Sequence, residues 1–269
     1  LADLPFELPH GFLGAEPPYA DFETARALIV PVPYESTTSY SGGTKFGPRA
    51  ILEASRYVEL HDQELDREPV EVGIHTLPAL ELTKAGAAEA AAELEDAYGR
   101  ILRAKGDRFP VALGGEHAIS APLVRATARH LEENGGGRLT VLQLDAHADL
   151  RDGYEGASHS HASFAFRTLD VADYVQVGIR AVSREERQVM RDNPDRITVV
   201  WADDMWEDDA WMGRAIDALG EHVYLTVDVD YFDPSLVPST GTPEPGGGDW
   251  YRTLRFLRRV FAERKVVGA

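Results

Sequence analysis

The chain has 269 residues, 43% of them hydrophobic, which suits one globular domain with a substantial core. It contains no Cys, which excludes disulfides and thiolate chemistry and fits a cytoplasmic protein. Its formal net charge of −18 repels nucleic acid and anionic membranes and attracts cations, and no apolar stretch approaches the length of a membrane span.

The opening, LADLPFELPHGFLG, has no basic region followed by an apolar block and does not read as a secretory signal. Leu1 is not an initiator Met, so some N-terminal residues are expected to be missing. Strand-like apolar runs then follow at 27–32, 109–115, 139–145, 174–179, 197–201, 222–228 and 265–269. Between them, helical spacing marks 83–105, 118–133, 183–192, 208–219 and 249–263, and Pro48 opens a further helix in FGPRAILEAS. Continuous apolar strands separated by helices predict an α/β fold: three α-β-α layers with a central, mainly parallel sheet. ENGGGR and PEPGGGDW lack the Lys and Ser/Thr of a phosphate loop and read as turns. Residues 1–269 form a single domain on this reading. KVVGA resembles the first half of a buried strand, so the last strand or helix is expected beyond residue 269.

Three of the strands end in metal-grade side chains. LTVLQLDAHAD places Asp145, His147 and Asp149 at alternate positions, which share one face only if the chain is extended. LTVDVD ends in Asp228 and Asp230, and FPVALGGEH runs through two glycines into His117. Ligands of open parallel sheets sit beyond the carboxyl ends of strands, so three neighbouring strand tips would pool these groups. A single Asp after a strand is usually a turn former. Several carboxylates interrupting apolar strands cost several kcal/mol unless a cation compensates them, and Lys and Arg are scarce in these segments. The four carboxylates balance two divalent ions, and an oxygen and imidazole set without thiolate suits Mn²⁺, with Zn²⁺, Co²⁺ or Fe²⁺ as alternatives. Two such ions share and acidify a water, whose hydroxide leaves the site at about −1 and favours a cationic electrophile.

These segments, with SGGTKFGPRAILEAS, GGEHAIS, DAHADLRDGYEG, SHASF, TVDVDYFDP and PSTGTPEPGG in order, resemble the ureohydrolase family of arginases and agmatinases. The resemblance implies one Mn²⁺ held by His117, Asp145, Asp149 and Asp228, and a second held by His147, Asp145, Asp228 and Asp230. It implies attack of a bridging hydroxide on a guanidinium carbon, giving urea and an amine, with Asp149 at the catalytic centre. His161 matches the family's mobile histidine, which passes a proton to the leaving amine. His159, two residues earlier, competes for that role, and the following ASF favours His161. His10, His61, His75, His130 and His222 lack such context and are assigned to the surface or to packing.

Two departures bear on the substrate. The family's guanidinium-clamping Glu, carried by a C-terminal strand, cannot be assigned before residue 269, and Glu244 lies in the wrong segment to replace it. Where arginases carry an Asn after the last Asp of DAHxD, this chain has Arg151, which resembles agmatinases. The expected reaction is therefore agmatine to putrescine plus urea. Guanidinobutyrate, aminopropylagmatine, proclavaminate, guanidine and arginine are alternatives within the same chemistry. A single-metal deacetylase or a non-catalytic polyamine-binding homologue are the alternatives outside it. The resemblance also implies a homotrimer or homohexamer.

Overall fold

A computed structural model describes residues 11–269; His10 and most of the opening segment lie outside the described residues. The described residues form eight strands and seven α-helices. Three strands pair in the order β2 (Ile74–Thr76), β1 (Ala27–Val32), β3 (Phe109–Gly114). Five pair in the order β6 (Ile197–Trp201), β5 (Ala172–Ile179), β4 (Leu139–Leu144), β7 (His222–Val227), β8 (Lys265–Gly268). Every pairing is parallel.

Ala269, just past β8, joins the two sets. Its N–H donates to Pro110 O at 3.0 Å and its carbonyl accepts from Ala112 N at 2.7 Å, the slanted pattern of a parallel pair. One sheet results, in the order β2-β1-β3-β8-β7-β4-β5-β6. The expected row of three neighbouring tips is thereby corrected: β8 lies between β3 and β7, and only β7 and β4 are adjacent.

Buried β4 shows why helices cover both faces. Successive residues of a strand point to opposite sides. Leu139 and Val141 pack with Leu94 and Tyr98 of α2 (Ala87–Ala104) and with Leu123 and Val124 of α3 (Ser120–Glu133). Leu142 and Leu144 pack on the other side, with Trp211 and Ile216 of α6 (Ala210–Ala218) and with Phe256 and Val260 of α7 (Trp250–Glu263). Each such side chain contributes about 1.5–3 kcal/mol on burial. The α-β-α layering follows from this alternation.

Helix ends shift by a few residues from the sequence pattern. Pro48 sits in the first turn of α1 (Gly47–Ser55), as its missing N–H allows. Ser183 and Glu186 form a capping box at the start of α4 (Arg184–Asp192). Asp249 caps α7 by accepting from Arg252 N at 2.9 Å. The 208–219 segment yields α6 alone, preceded by the short α5 (Asp204–Glu207). The three-residue β2 had no pattern long enough to announce it. Among the described residues, no helix is long and apolar enough to cross a membrane.

Candidate metal centre

Asp145 and Asp228 stand side by side because of sheet register. Leu144 pairs with Val227, Asp145 N donates to Val177 O at 3.1 Å, and Asp228 N donates to Leu144 O at 2.9 Å. The expected extended run through Asp149 is not what forms. β4 ends at Leu144, and Asp149 adopts φ 52, a left-handed conformation that Asp tolerates better than most residues. An extended run would carry Asp149 roughly 13 Å beyond Asp145. The turn instead brings Asp149 Oδ2 within 3.0 Å of His117 Nδ1.

His117 reaches this place through a tight crossing. A Cβ on Gly115 would lie 2.4 Å from Tyr34 O, so only glycine lets the chain leaving β3 pass the loop after β1. Gly178 has a related task in β5. It has φ 93, and a Cβ there would meet the Tyr231 ring at 2.6 Å and Asp145 O at 3.2 Å.

Five of the six side chains gather as two triplets that share Asp145: His117, Asp145 and Asp228, and then Asp145, His147 and Asp230. Asp145 turns one oxygen to each. Its Oδ2 lies 3.1 Å from His117 Nδ1 and its Oδ1 lies 3.7 Å from His147 Nδ1. Asp228 Oδ2 is 3.3 Å from His117 Nδ1, and Asp230 Oδ2 is 3.1 Å from His147 Nδ1. Asp149 approaches His117 but belongs to neither tight triplet, and Asp228 belongs only to the first.

The electrostatics show what is lacking. Burial, and then the Asp145 charge, push the Asp149 carboxyl up to about 7. Burial, with Asp228 and Asp145, does the same to Asp230, also to about 7. Burial opposes protonation of His147, yet Asp145 and Asp230 override it and raise the ring to about 11. His117 is likewise raised well above its ordinary value: burial opposes this, and Asp145, Asp149 and Asp228 outweigh it. The group needs positive charge. His117 Nδ1 is buried without a hydrogen-bond partner although three carboxylate oxygens lie within 3.3 Å of it. Such a nitrogen, aimed among anionic oxygens but aligned for none, fits coordination of a divalent cation.

Neighbouring groups orient this set. Thr226 Oγ1 lies 2.9 Å from His117 Nε2. Gln143 donates to Asp145 Oδ2 at 2.9 Å, and Gln176 donates to Gln143 Oε1 at 2.7 Å, a buried amide ladder across β4 and β5. Thr242 donates to Asp230 Oδ2 at 3.2 Å. Arg180 binds the carbonyls of Asp230 and Glu244, at 2.6 and 2.7 Å, tying the 238–248 segment to the tip of β7.

The two competing histidines part company. His161 lies beside the centre, where Thr37 holds it and Tyr154 meets its ring edge to face at 5.6 Å. Burial lowers its pKa, with Glu116 opposing. His159 instead lines a small apolar cavity with Tyr34, Leu94 and Pro122. His61 is exposed, His75 packs on Phe22, His130 lies on α3, and His222 is buried in β7. Glu116, Thr37, Tyr154, Gln143 and Gln176 were missed by sequence reasoning. The hydroxyl-rich ESTTSYS segment was the one available hint.

Comparison with known proteins agrees with this geometry. The Arginase family profile matches residues 25–269. The N(1)-aminopropylagmatine ureohydrolase of Synechocystis sp. is 41% identical over 255 residues, covering 93% of this chain and 80% of that protein. The agmatinase of Pyrococcus horikoshii is 34% identical over 261 residues, covering 94% and 85%. Among solved structures, the agmatine ureohydrolase of Thermoplasma volcanium superposes with a TM-score of 0.79 at 26% identity, covering 93% of this chain and 83% of that one. Fold, paired carboxylate–imidazole triplets and sequence coincide over nearly the whole chain, which belongs to the arginase family.

Proposed function

We propose that the chain is a dinuclear manganese amidinohydrolase that releases urea from a guanidino compound with a cationic amine tail, N1-aminopropylagmatine ahead of agmatine. The observation that carries the reaction class is the pair of triplets sharing Asp145, with an unpartnered His117 nitrogen aimed among the carboxylates. The greater identity to the aminopropylagmatine ureohydrolase than to the agmatinase, 41% against 34%, supports the longer substrate over the shorter one expected from the sequence.

His117, Asp145, Asp149 and Asp228 hold one ion in this reading, and Asp145, His147, Asp228 and Asp230 the other. When bound, the pair supplies Lewis acidity and a water acidified toward neutral pKa. The protein supplies the rest. The four carboxylates offset the charge of two divalent ions, and the chain's overall charge of −18 favours a cationic guanidinium at the site. Burial keeps His161 neutral near pH 7, ready to accept a proton and return it to the departing amine. Assembly as a trimer or hexamer belongs to the same reading, supported by the exposed Tyr40, Phe46 and Tyr57 around α1 and checked by sedimentation.

The test is urea release with added Mn²⁺ from N1-aminopropylagmatine, agmatine, guanidinobutyrate, proclavaminate, guanidine and arginine. The highest kcat/KM is expected for N1-aminopropylagmatine. A clear preference for arginine, or no release from any of them, would sink the proposal, as would one tightly held Zn²⁺ per chain in place of two ions.

A further inference from the structure

Glu116 is buried one residue before His117, and both of its carboxylate oxygens accept hydrogen bonds. Oε2 accepts the backbone N–H groups of Ser36 and Thr37 at 2.8 and 2.7 Å, and Oε1 accepts the Thr37 hydroxyl at 2.8 Å. A hydroxyl has one proton and two lone pairs. With its proton directed to Glu116, Thr37 Oγ1 can only accept from any other neighbour. It meets two nitrogens of a single residue there: the His161 backbone N–H at 3.1 Å and the His161 ring Nδ1 at 3.3 Å. The ring nitrogen must therefore bring the hydrogen.

We infer that Glu116 and Thr37 are positioning residues that fix neutral His161 as the Nδ1–H tautomer and leave the lone pair on Nε2. The inference rests on the proton-transfer role proposed for His161 and deepens it by naming the atom. The proton is taken up at Nε2, giving an imidazolium whose Nδ1–H still faces Thr37, and it departs from Nε2 to the leaving amine. Nδ1 cannot serve, because its hydrogen points at a hydroxyl whose bonding capacity is filled. The edge-to-face contact with Tyr154, at an interplanar angle of 87°, restrains the ring from turning over. This arrangement sets a tautomer through a neighbour's neighbour, as second-sphere groups do for functional histidines.

Ring ¹⁵N spectra of the Zn²⁺-loaded protein at about pH 8, with the signal assigned by its loss in His161→Ala, test the inference directly. The Nδ1–H pattern is expected, and an Nε2–H pattern would overturn it. Thr37→Val should lower kcat by about 10- to 100-fold, with KM, two-ion stoichiometry and melting temperature held, and Thr37→Ser should restore kcat. Unchanged kcat in Thr37→Val would also overturn the inference. If that variant fails to fold, the spectrum of the unsubstituted protein decides alone. Full turnover in His161→Ala would instead refute the proton-transfer role, while the spectrum still judges the tautomer.

Discussion

The two halves of the metal centre share Asp145 but live in different surroundings. The His117 half is closed around its ring, although its Asp228 keeps 25% of its side chain exposed. Its imidazole is 8% exposed, lies 4.2 Å from the Phe164 ring and is tied to Thr226. The His147 half is more open, with its imidazole 29% exposed and Asp230 steadied by Thr242 from the 238–248 segment. Dehydration strengthens electrostatic attraction. Under the proposed function, the closed half would retain its cation more tightly, and the open half would admit water and the guanidinium.

The largest expected effect removes the shared element. Asp145→Asn withdraws a charge from both halves at once, so elemental analysis should find neither ion and urea release should vanish. Retention of one ion would show that the halves are independent. Next in size, His147→Ala should lose one ion and keep the other, whereas His117→Ala should lose both and melt at a lower temperature. The reverse pattern would overturn the distinction between closed and open halves.

Acidification is the mildest of the three. Asp149 and Asp230 are each raised to about 7, so each binds a proton in the metal-free fold below that value. Protons then compete with metal, and affinity falls as pH drops through about 7 and recovers as pH rises. The stability that bound metal adds is lost in the same window and the same direction. Since each half has one such carboxylate nearby, calorimetric titration from about pH 8 to about pH 5 should show both ions weakening together. Separate transitions would sharpen the contrast between the halves.

Much of the centre was legible because its chemistry violates a local pattern. Asp145, Asp228 and Asp230 interrupt or end apolar strands, where an uncompensated charge is costly, and that conflict is visible in one dimension. Asp149 was found by spacing, but its reach depends on a left-handed turn that the alternating pattern did not contain. The Glu116–Thr37–His161 chain was not legible at all. Its hydrogen bonds join residues 79 and 124 positions apart, and only a chain crossing at Gly115 brings those segments together. The insertion of β8 between β3 and β7 likewise rests on bonds between residues remote in the chain.

Sequence alone determined the layered α/β plan, the candidate metal-binding side chains and the family likeness, because apolar periodicity and misplaced carboxylates are local signals written residue by residue. Tertiary structure alone decided which strand tips adjoin, how five of the six candidate ligands group as two triplets around Asp145, and which histidine lies beside them. The physical reason is that distances between residues remote in the chain are set by strand order and register, and neither is encoded in any single segment.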